Sequence, residues 1–415
     1  MAAPSPVRQH LLELGADLIV YGPPEANIEL PQLVTDEIDL EYAAIRKGCG
    51  QLDRPDRGAL EVTGADRVSF LNNMLTQELN DLRPHESRSS FWLNRKGRID
   101  ADLRVLALED HLLFDLDAHS AAATVQSLDA FLIMDDAEIA DRSAERHRFS
   151  LHGPTAAPLL EQLTTTVAGE DPAALAPGHL CVLKLTDADT DIEFIAERDD
   201  ATGETGFELS MHAEHAPAIW DALLQARFDS EAAQAGTLTP LAERFRLRPI
   251  GWHAFNVARI EAGRPLFNLD FGPDSIPAET GLLEDRVSFT KGCYLGQEIV
   301  ARMHSLGHPK RTLVALRLTG DAAYEADGQP RQPITGAPIR KAESDDPIGA
   351  VTSSAVSPML GATPVCFAMV KWGVHEPGTE LVVDAEGIQV RAVVQPQLRF
   401  LPGATQSTQA QSEET

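Results

Sequence analysis

The apolar pattern of the chain changes near residue 313, and this change limits the folds open to it. Before that point strand-like segments, such as residues 59–63, alternate with segments of helical spacing, such as residues 67–79. After it, short strands are separated by glycine- and proline-containing turns. The first pattern is typical of antiparallel sheets with helices on one side, and the second of a small β-barrel. The sequence therefore predicts an α+β protein with a C-terminal barrel.

Further elements are predicted from the same periodicities. Residues 97–108 and 112–116 read as a hairpin, and residues 119–133 as a helix. Residues 163–190, rich in Ala, Thr, Asp and Pro, are expected to form a surface connection. The remaining predicted elements are strands at 193–196 and 206–210, a helix at 213–226, and barrel strands at 312–318, 350–353, 365–371 and 380–383.

Composition narrows the class of protein. A length of 415 residues predicts about three domains of ~150 residues. No apolar run approaches the ~18 residues of a membrane span, and residues 1–10 carry one arginine and no apolar core, unlike a secretory signal or a transit peptide. The net charge of −28 repels phosphate backbones, so direct nucleic-acid binding is not expected. We expect a cytoplasmic protein that does not bind membranes.

Residues 291–298 read Lys-Gly-Cys-Tyr-Leu-Gly-Gln-Glu and place a thiol between two glycines. A nearby lysine favours the reactive thiolate, and in an extended chain Lys291 and Cys293 share a face. A small buried cysteine in a glycine-bounded turn is the simpler alternative. The density of special residues favours a functional thiol at Cys293, with Lys291 as its catalytic partner. The other cysteines (Cys49, Cys181 and Cys366) lie far apart and form no metal-binding pattern.

The octapeptide resembles the hallmark of the YgfZ branch of the folate-binding aminomethyltransferase (glycine-cleavage T-protein) superfamily, Lys-Gly-Cys-Tyr-x-Gly-Gln-Glu. Residues 258–265, 41–76 and 348–361 are also similar to segments of that superfamily. All seven fixed positions of the hallmark match, namely Lys291, Gly292, Cys293, Tyr294, Gly296, Gln297 and Glu298.

The resemblance implies tandem antiparallel-sheet folate-binding subdomains, ferredoxin-like units around a central channel, followed by the small β-barrel. The expected boundaries are an N-terminal extension at 1–40, subdomain 1 at 41–150, subdomain 2 with the octapeptide at 151–312, the barrel at 313–401 and a disordered tail at 402–415.

The resemblance also implies a cofactor, tetrahydrofolate or a formyl or methyl derivative. The pterin-binding glutamate of the superfamily maps to Glu261, and in a strand Arg259 would share its face. Without the resemblance, a surface salt bridge would be the simpler role. One folate-contacting aromatic position aligns with Phe255. The other falls near Arg57, where an aromatic residue is absent but a guanidinium can stack on a flat ring.

Residues 96–103 depart from the pattern of the true aminomethyltransferases, which carry two adjacent carboxylates here. Alignment puts Ala101 at the first, catalytic position and Asp102 at the second. Alanine cannot accept a proton, so glycine-cleavage chemistry is not expected unless Asp100 substitutes in a shifted register. The sequence therefore leaves open whether the chain is an enzyme. If it is one, it would resemble a folate-dependent one-carbon (aminomethyl) transferase.

Two features downstream of the octapeptide leave alternatives. A basic island suits either an anionic ligand or a solvated helix end; its members are Arg302, His304, His308, Lys310 and Arg311. His304 and His308 could join Cys293 around a metal, but Gly307 and Pro309 argue against a continuous helix. We predict no metal site.

By resemblance we expect a folate-binding protein that supports the assembly or repair of iron–sulfur clusters and, through cluster enzymes, tRNA modification. Its partners would be iron–sulfur enzymes or assembly factors. One alternative is a folate-dependent aminomethyltransferase or demethylase that uses Asp102 or Asp100 as base. Another is a noncatalytic adaptor of cluster assembly that folate regulates.

Overall fold

The computed structural model describes residues 4–35, 37–186, 191–226 and 246–402, so residues 403–415 of the predicted tail lie outside the described part. The chain divides into two compact units. Unit 1 comprises Met1–Met74, Glu78–Ser90 and Leu103–Phe255, and unit 2 comprises Leu75–Gln77, Phe91–Asp102 and Asn256–Thr415. The subdomain boundaries expected from the sequence stay predictions.

The helices of the described residues are short and alternate with strands in the first part of the chain. They are α1 (Arg8–Glu13), α2 (Ile38–Lys47), α3 (Arg67–Met74), α4 (Ala121–Asp129), α5 (Ala156–Leu163), α6 (Ala216–Ala226), α7 (Trp252–Glu261), α8 (Leu283–Arg286) and α9 (Gln297–Leu306).

Strands run through both parts of the chain. They are β1 (Asp17–Val20), β2 (Glu29–Leu33), β3 (Cys49–Asp53), β4 (Arg57–Thr63), β5 (Ser87–Leu93), β6 (Ile99–Ala107), β7 (Leu112–Asp117), β8 (Glu138–Asp141), β9 (Arg146–His152), β10 (Thr164–Ala168), β11 (Leu180–Leu185), β12 (Glu193–Arg198), β13 (Gly206–His212), β14 (Leu247–Pro249), β15 (Arg311–Thr319), β16 (Pro338–Arg340), β17 (Pro347–Ser357), β18 (Thr363–Lys371), β19 (Glu380–Ala385) and β20 (Ile388–Val394).

These strands form a two-stranded sheet, two larger sheets and a barrel. The seven-stranded sheet has the order β10-β11-β12-β13-β9-β3-β14, and its one parallel pair among the described strands is β3 with β14. The five-stranded sheet has the order β5-β6-β7-β4-β8. A closed barrel of order β15-β18-β17-β16-β19-β20 follows. The predicted α+β class with a C-terminal barrel is confirmed.

The seven-stranded sheet is buried on both faces, and the two faces differ in chemistry. On one face Phe149 of β9 and Leu209 of β13 pack in an apolar cluster with Trp220 of α6. Because side chains alternate along a strand, the residues between them point to the other face. There Ser150 of β9 lies opposite Glu208 of β13. This second face carries the polar groups described below.

The barrel of unit 2 closes around aliphatic side chains that alternate along its strands. Leu316 of β15, Ala368 of β18 and Val383 of β19 belong to one buried cluster. Closure leaves no unpaired strand edge, which accounts for the stability of such a short-stranded structure. The short strands predicted after residue 313 are thus found, although β17 is longer than predicted.

Two predicted elements are wrong. The helix predicted at 67–79 ends at Met74, and the side-chain oxygen of Asn72 accepts a hydrogen bond from the backbone of Leu79 (2.8 Å), an alternative to a further helical turn. The connection predicted at 163–190 contains β10 and β11. The threonines that begin β10 are β-branched and suit an edge strand better than a loop.

Candidate functional site

The octapeptide forms a turn that leads into α9. Gly296 stands immediately before the helix with φ of +82°, a conformation that glycine adopts without strain. A Cβ at this position would also lie 3.0 Å from the carbonyl oxygen of Asn94. The second glycine of the octapeptide is therefore required by the backbone itself.

Of the four cysteines, Cys293 is exposed and the other three are buried. Burial raises the pKa of Cys181 and of Cys366 to about 12, and it raises that of Cys49 well above the usual value. The thiolate is the nucleophilic form, so these three thiols are inert at neutral pH. Cys293 is the thiol that a reagent or a partner can reach.

The ammonium of Lys291 anchors the octapeptide to a neighbouring turn of unit 2. Its Nζ donates hydrogen bonds to the carbonyl oxygens of Leu75 (2.9 Å) and Gln77 (2.7 Å), and it lies 5.5 Å from the centre of the Tyr294 ring. Tyr294 is buried, which raises its pKa to about 12. Lys291 thus has a structural role, and its expected role as the catalytic partner of the thiol stays a prediction.

Arg259 and Glu261 lie on α7, so the expectation of a strand in which they share a face is wrong. On a helix, residues two apart are rotated by about 200° and face different neighbours. Arg259 pairs with Asp270 in unit 2. The Oε1 of Glu261 accepts a hydrogen bond from the hydroxyl of Ser357, and both side chains are buried. The pterin-binding role expected for Glu261 stays a prediction.

Phe255 and Arg57 both belong to unit 1. Phe255 is buried, with its ring 5.2 Å from that of His152 and 5.3 Å from the guanidinium carbon of Arg54. Burial, aided by Arg54, lowers the pKa of His152 to about 3, so its ring is neutral. Arg57 donates from Nε to Asp115 (2.8 Å). The aromatic group and the guanidinium expected near folate are present, each with partners within unit 1.

The residues at the expected catalytic position alternate along β6. Ala101 is buried on one face, whereas Asp100 and Asp102 are half-buried on the other. Asp100 accepts a hydrogen bond from the side chain of Asn94 (2.8 Å). Asp102 accepts one from Nε of Arg286 (2.9 Å), which neutralises its charge. Ala101, which is expected at the position of the first family carboxylate, thus presents only a methyl group, and Asp100 and Asp102 already have hydrogen-bond partners.

The basic island downstream of the octapeptide does not act as one group. His304 stacks on Phe289 with ring centres 4.0 Å apart. His308 lies beyond the end of α9 and stacks on Trp372. Arg311 pairs with a glutamate of the same unit, Glu279. Among the described residues there is no group of three or more His, Cys, Asp or Glu that could hold a metal ion.

A layer of buried charged groups joins the seven-stranded and five-stranded sheets within unit 1. We call this set the ionic layer; it consists of Arg54, Asp56, Arg57, Arg104, Asp115, Arg148, Glu197 and Glu208. Arg148 of β9 lies 3.3 Å from Asp115 of β7, and Arg104 of β6 lies 3.1 Å from Glu197 of β12. Of these residues only Arg57 was singled out from the sequence. The available signal in β9 was Arg146 and Arg148, which are two positions apart and therefore share a face of the strand.

Three members of the ionic layer have buried polar atoms that make no hydrogen bond with a described residue. These atoms are the Oε2 of Glu208, the Oε2 of Glu197 and all three guanidinium nitrogens of Arg148, although Glu197 and Arg148 keep the ion pairs given above. Burial, only partly offset by Arg54, raises the pKa of Glu208 to about 7. Leaving such an atom unsatisfied costs about 1–3 kcal/mol. These atoms fit a flat ligand whose N–H groups donate to a carboxylate and whose oxygen accepts from a guanidinium, as in a pterin.

The α+β sheets followed by a closed six-stranded barrel define the class of aminomethyltransferase-like, folate-binding folds. The family model of the GCVT N-terminal domain matches residues 17–291, and that of the glycine cleavage T-protein C-terminal barrel domain matches residues 311–400. The chain therefore belongs to the glycine-cleavage T-protein family.

Relatives span nearly the whole chain. An aminomethyltransferase of Anoxybacillus flavithermus is 27% identical over 386 residues, which cover 92% of this chain and 94% of that protein. One from Chloroherpeton thalassium is 28% identical over 394 residues, covering 94% of this chain and 97% of its own. The crystal structure of the glycine cleavage system aminomethyltransferase T from Bartonella henselae matches the fold with a TM-score of 0.79 and 24% identity, covering 97% of this chain and 99% of that chain.

No helix among the described residues has the length and apolarity needed to cross a membrane.

Proposed function

We propose that this protein binds tetrahydrofolate, or a formyl or methyl derivative, and uses Cys293 as its functional thiol in support of iron–sulfur cluster assembly or repair. The basis for the cofactor is the resemblance to the folate-binding aminomethyltransferase superfamily, whose family models and relatives match this chain. The observation that carries the proposal is the combination of a buried Ala101 and an exposed Cys293. The chain keeps the family fold but offers a thiol, not a carboxylate, as its reactive group.

The ionic layer supplies the best support for pterin binding. Glu208 has a carboxylate oxygen without a hydrogen-bond partner, whereas Glu261 already accepts a hydrogen bond from Ser357. A carboxylate that accepts two N–H groups is a strong and directional ligand for a pterin edge. We therefore propose Glu208 as the pterin acceptor, with Phe255 and Arg57 in the same unit. Arg259, Glu261 and Asp102, the other residues that the resemblance assigns to folate, have protein partners in unit 2.

Calorimetry of folate binding tests this assignment. Titrating tetrahydrofolate into Glu208→Gln should show an affinity lowered by about 1–3 kcal/mol, the usual loss for a charged hydrogen bond. Glu261→Gln is the test of the alternative acceptor and should leave the affinity unchanged. Glu145→Gln, an exposed glutamate that pairs with Arg142, serves as the control for charge. Full affinity in Glu208→Gln with a loss in Glu261→Gln would reverse the assignment.

The proposed cellular role is tested through the thiol. In a host strain that lacks its own copy, we expect Cys293→Ser to fail to restore the activity of iron–sulfur enzymes, including those that modify tRNA. Cys181→Ala removes a buried thiol and should restore them. Rescue by Cys293→Ser would favour a noncatalytic adaptor that docks on cluster-assembly factors in the cytoplasm and responds to folate.

A second candidate function is folate-dependent aminomethyl transfer or demethylation. It is favoured by the relatives named aminomethyltransferase and by the two carboxylates, Asp100 and Asp102, on one face of β6. For this function Asp100 or Asp102 must act as a base, so it must first release its hydrogen bond to Asn94 or Arg286. Aminomethyl transfer to tetrahydrofolate by the purified protein, abolished in Asp102→Asn, would establish it.

A further inference from the structure

Unit 1 contains a cavity of about 420 Å³ whose lining differs from the ionic layer. Small apolar side chains make up much of its wall, and two arginines reach into it. The lining residues that carry the argument are Pro55, Arg57, Ala122, Ser143, Arg146 and Ala213. A volume in this range is typical of sites for small molecules.

Arg146 lines this cavity as a cation without a counter-ion. Its Nε and Nη2 donate to the hydroxyl of Ser210 (3.3 and 3.2 Å), and Nη2 also donates to the Ser210 carbonyl oxygen (3.3 Å). Both acceptors are neutral. No carboxylate of the described residues lies within ion-pair distance, and Nη1 has no hydrogen-bond partner among them. Nη1 is thus open to a ligand.

The electrostatic surroundings of Arg146 leave its charge uncompensated. Burial, and secondly repulsion by Arg148, lower the pKa of Arg146 to about 10, so the guanidinium stays charged at neutral pH. Glu61, the acidic group that opposes this effect, is held by Arg142 at 3.0 Å. Arg146 is half-buried, so its charge is partly desolvated, and a ligand carboxylate would lower the cost of that desolvation.

Two other titratable groups of the lining, Arg57 and His147, already have carboxylate partners. Arg57 pairs with Asp115 (2.8 Å), and His147 lies 2.6 Å from Asp53. Asp141 is exposed and accepts a hydrogen bond from the backbone of Ser143 (2.9 Å). Ala122 lies in the first turn of α4, and the N-terminus of this helix places a partial positive charge beside the cavity. Of the two arginines in the lining, Arg146 is therefore the one without a carboxylate partner among the described residues, and much of the wall around it is apolar.

We propose that this cavity binds a small organic acid, with its carboxylate on Arg146 and a compact apolar body against Pro55, Ala122 and Ala213. The ligand class follows from the lining, because a free inorganic anion would leave the apolar wall exposed to water. The site uses neither Glu208 nor Phe255 and shares only Arg57 with the proposed folate site, so its main ligand contacts are different ones.

Benzoate is a suitable probe, with benzamide as its neutral counterpart and inorganic phosphate as a compact anion. Calorimetry with the full chain should show benzoate binding at least tenfold more tightly than benzamide or phosphate. Arg146→Gln should weaken benzoate at least tenfold. Arg391→Gln, which removes an arginine of unit 2 whose carboxylate partner is Glu380, should have no effect. Tetrahydrofolate affinity should be the same in all three proteins.

A second variant keeps the test decisive if Arg146→Gln does not fold. Ala122→Leu retains the guanidinium but fills the cavity from an exposed helix position, and it should abolish benzoate binding while preserving the thermal midpoint. Absence of benzoate binding to the wild-type chain, equal affinity for benzamide, or tighter binding of phosphate would each overturn the proposal. Loss of folate binding in a variant that also loses benzoate binding would show that the two ligands depend on one site, and it would contradict the proposal of a separate site.

Discussion

Arg259 and Asp270 form an ion pair from which water is excluded, with both side chains fully buried. Asp270 accepts further hydrogen bonds from the hydroxyls of Thr352 (2.9 Å) and Ser353 (2.5 Å), and from the backbone of Leu266 (2.9 Å). The pair thus ties the segment after α7 to the barrel strand β17 within unit 2. Removing Asp270 leaves the buried charge of Arg259 without a carboxylate, with only neutral acceptors on Asn256 and Arg264.

We therefore expect Asp270→Ala to lower the free energy of unfolding by about 3–5 kcal/mol, the usual cost of an uncompensated buried charge. Urea denaturation followed by circular dichroism measures it. Arg391→Gln breaks an ion pair with Glu380 whose side chains are more than half exposed and should change stability by about 0.5 kcal/mol or less. Similar losses in the two variants would contradict the role given to the buried pair.

Glu208 gives the protein a pH dependence of stability with a definite sign. Its pKa is about 7 in the folded chain against an ordinary 4.5, mainly because of burial. Between these values the folded state keeps a proton that the unfolded state has lost. The contribution to stability is fully present below pH 4.5 and is lost as the pH rises through 7. At 1.36 kcal/mol per pKa unit it amounts to roughly 3 kcal/mol.

Glu208→Gln should remove this dependence. Urea midpoints measured from pH 4.5 to 8 are expected to fall with pH more steeply in the wild type than in Glu208→Gln. Glu145→Gln, at an exposed glutamate, should follow the wild type. Parallel curves for the wild type and Glu208→Gln would show that the carboxyl group does not titrate as proposed.

Cys293 is expected to be alkylated before the other cysteines. Brief treatment of the folded protein with iodoacetamide at pH 7, followed by mass spectrometry, should find the label on Cys293, because burial raises the pKa values of Cys49, Cys181 and Cys366. Labelling in urea should reach all four. A faster reaction at Cys49 would require the thiol-centred proposal to be abandoned.

Lys291→Met separates two roles of one ammonium. Loss of its hydrogen bonds to Leu75 and Gln77 should lower the free energy of unfolding by about 1–3 kcal/mol. The same variant tests the predicted assistance to the thiol, because a several-fold slower alkylation of Cys293 at pH 7 would support it. An unchanged rate in a destabilised protein would leave Lys291 with its structural role.

The protein should lack glycine-cleavage aminomethyltransferase activity, because Ala101 is expected at the position of the family's catalytic carboxylate. With an aminomethylated carrier and tetrahydrofolate we expect no product above background. Ala101→Asp should regain a trace at most, and it should also be less stable, since the position is fully buried. Robust activity of the wild type would overturn this prediction and favour the second candidate function.

The barrel and the β6–β7 hairpin could be predicted because both are local patterns. Alternation along residues 99–107 and a short turn before Leu112 determine the hairpin without reference to distant residues. The helix at 252–261 was not predicted, since the alternation of Arg259 and Glu261 spans too few residues to separate a strand from a helix. The buried pair Ala254 and Ala258, four residues apart, was the available helical signal.

The ionic layer could not be predicted from the sequence, and the reason differs from that for the helix. Arg148 and Asp115 are 33 positions apart, and each alone reads as an ordinary polar residue in a strand. Their meeting depends on the packing of two sheets, which no single segment encodes. The octapeptide, by contrast, could be found from sequence because its residues are contiguous. The exposure of its thiol and the hydrogen bonds that anchor Lys291 could be recognised only in the structure.

The ionic layer also has a thermal consequence. Unfolding apolar interiors raises the heat capacity of the chain, whereas exposing polar surface lowers it. Charged groups occupy part of the space between the two sheets of unit 1, beside a small apolar cluster, whereas aliphatic side chains fill the barrel. The stability of the paired sheets should therefore vary less with temperature than that of the barrel, whose interior loses driving force on cooling. Cold, rather than heat, is the condition that should distinguish these two parts of the molecule.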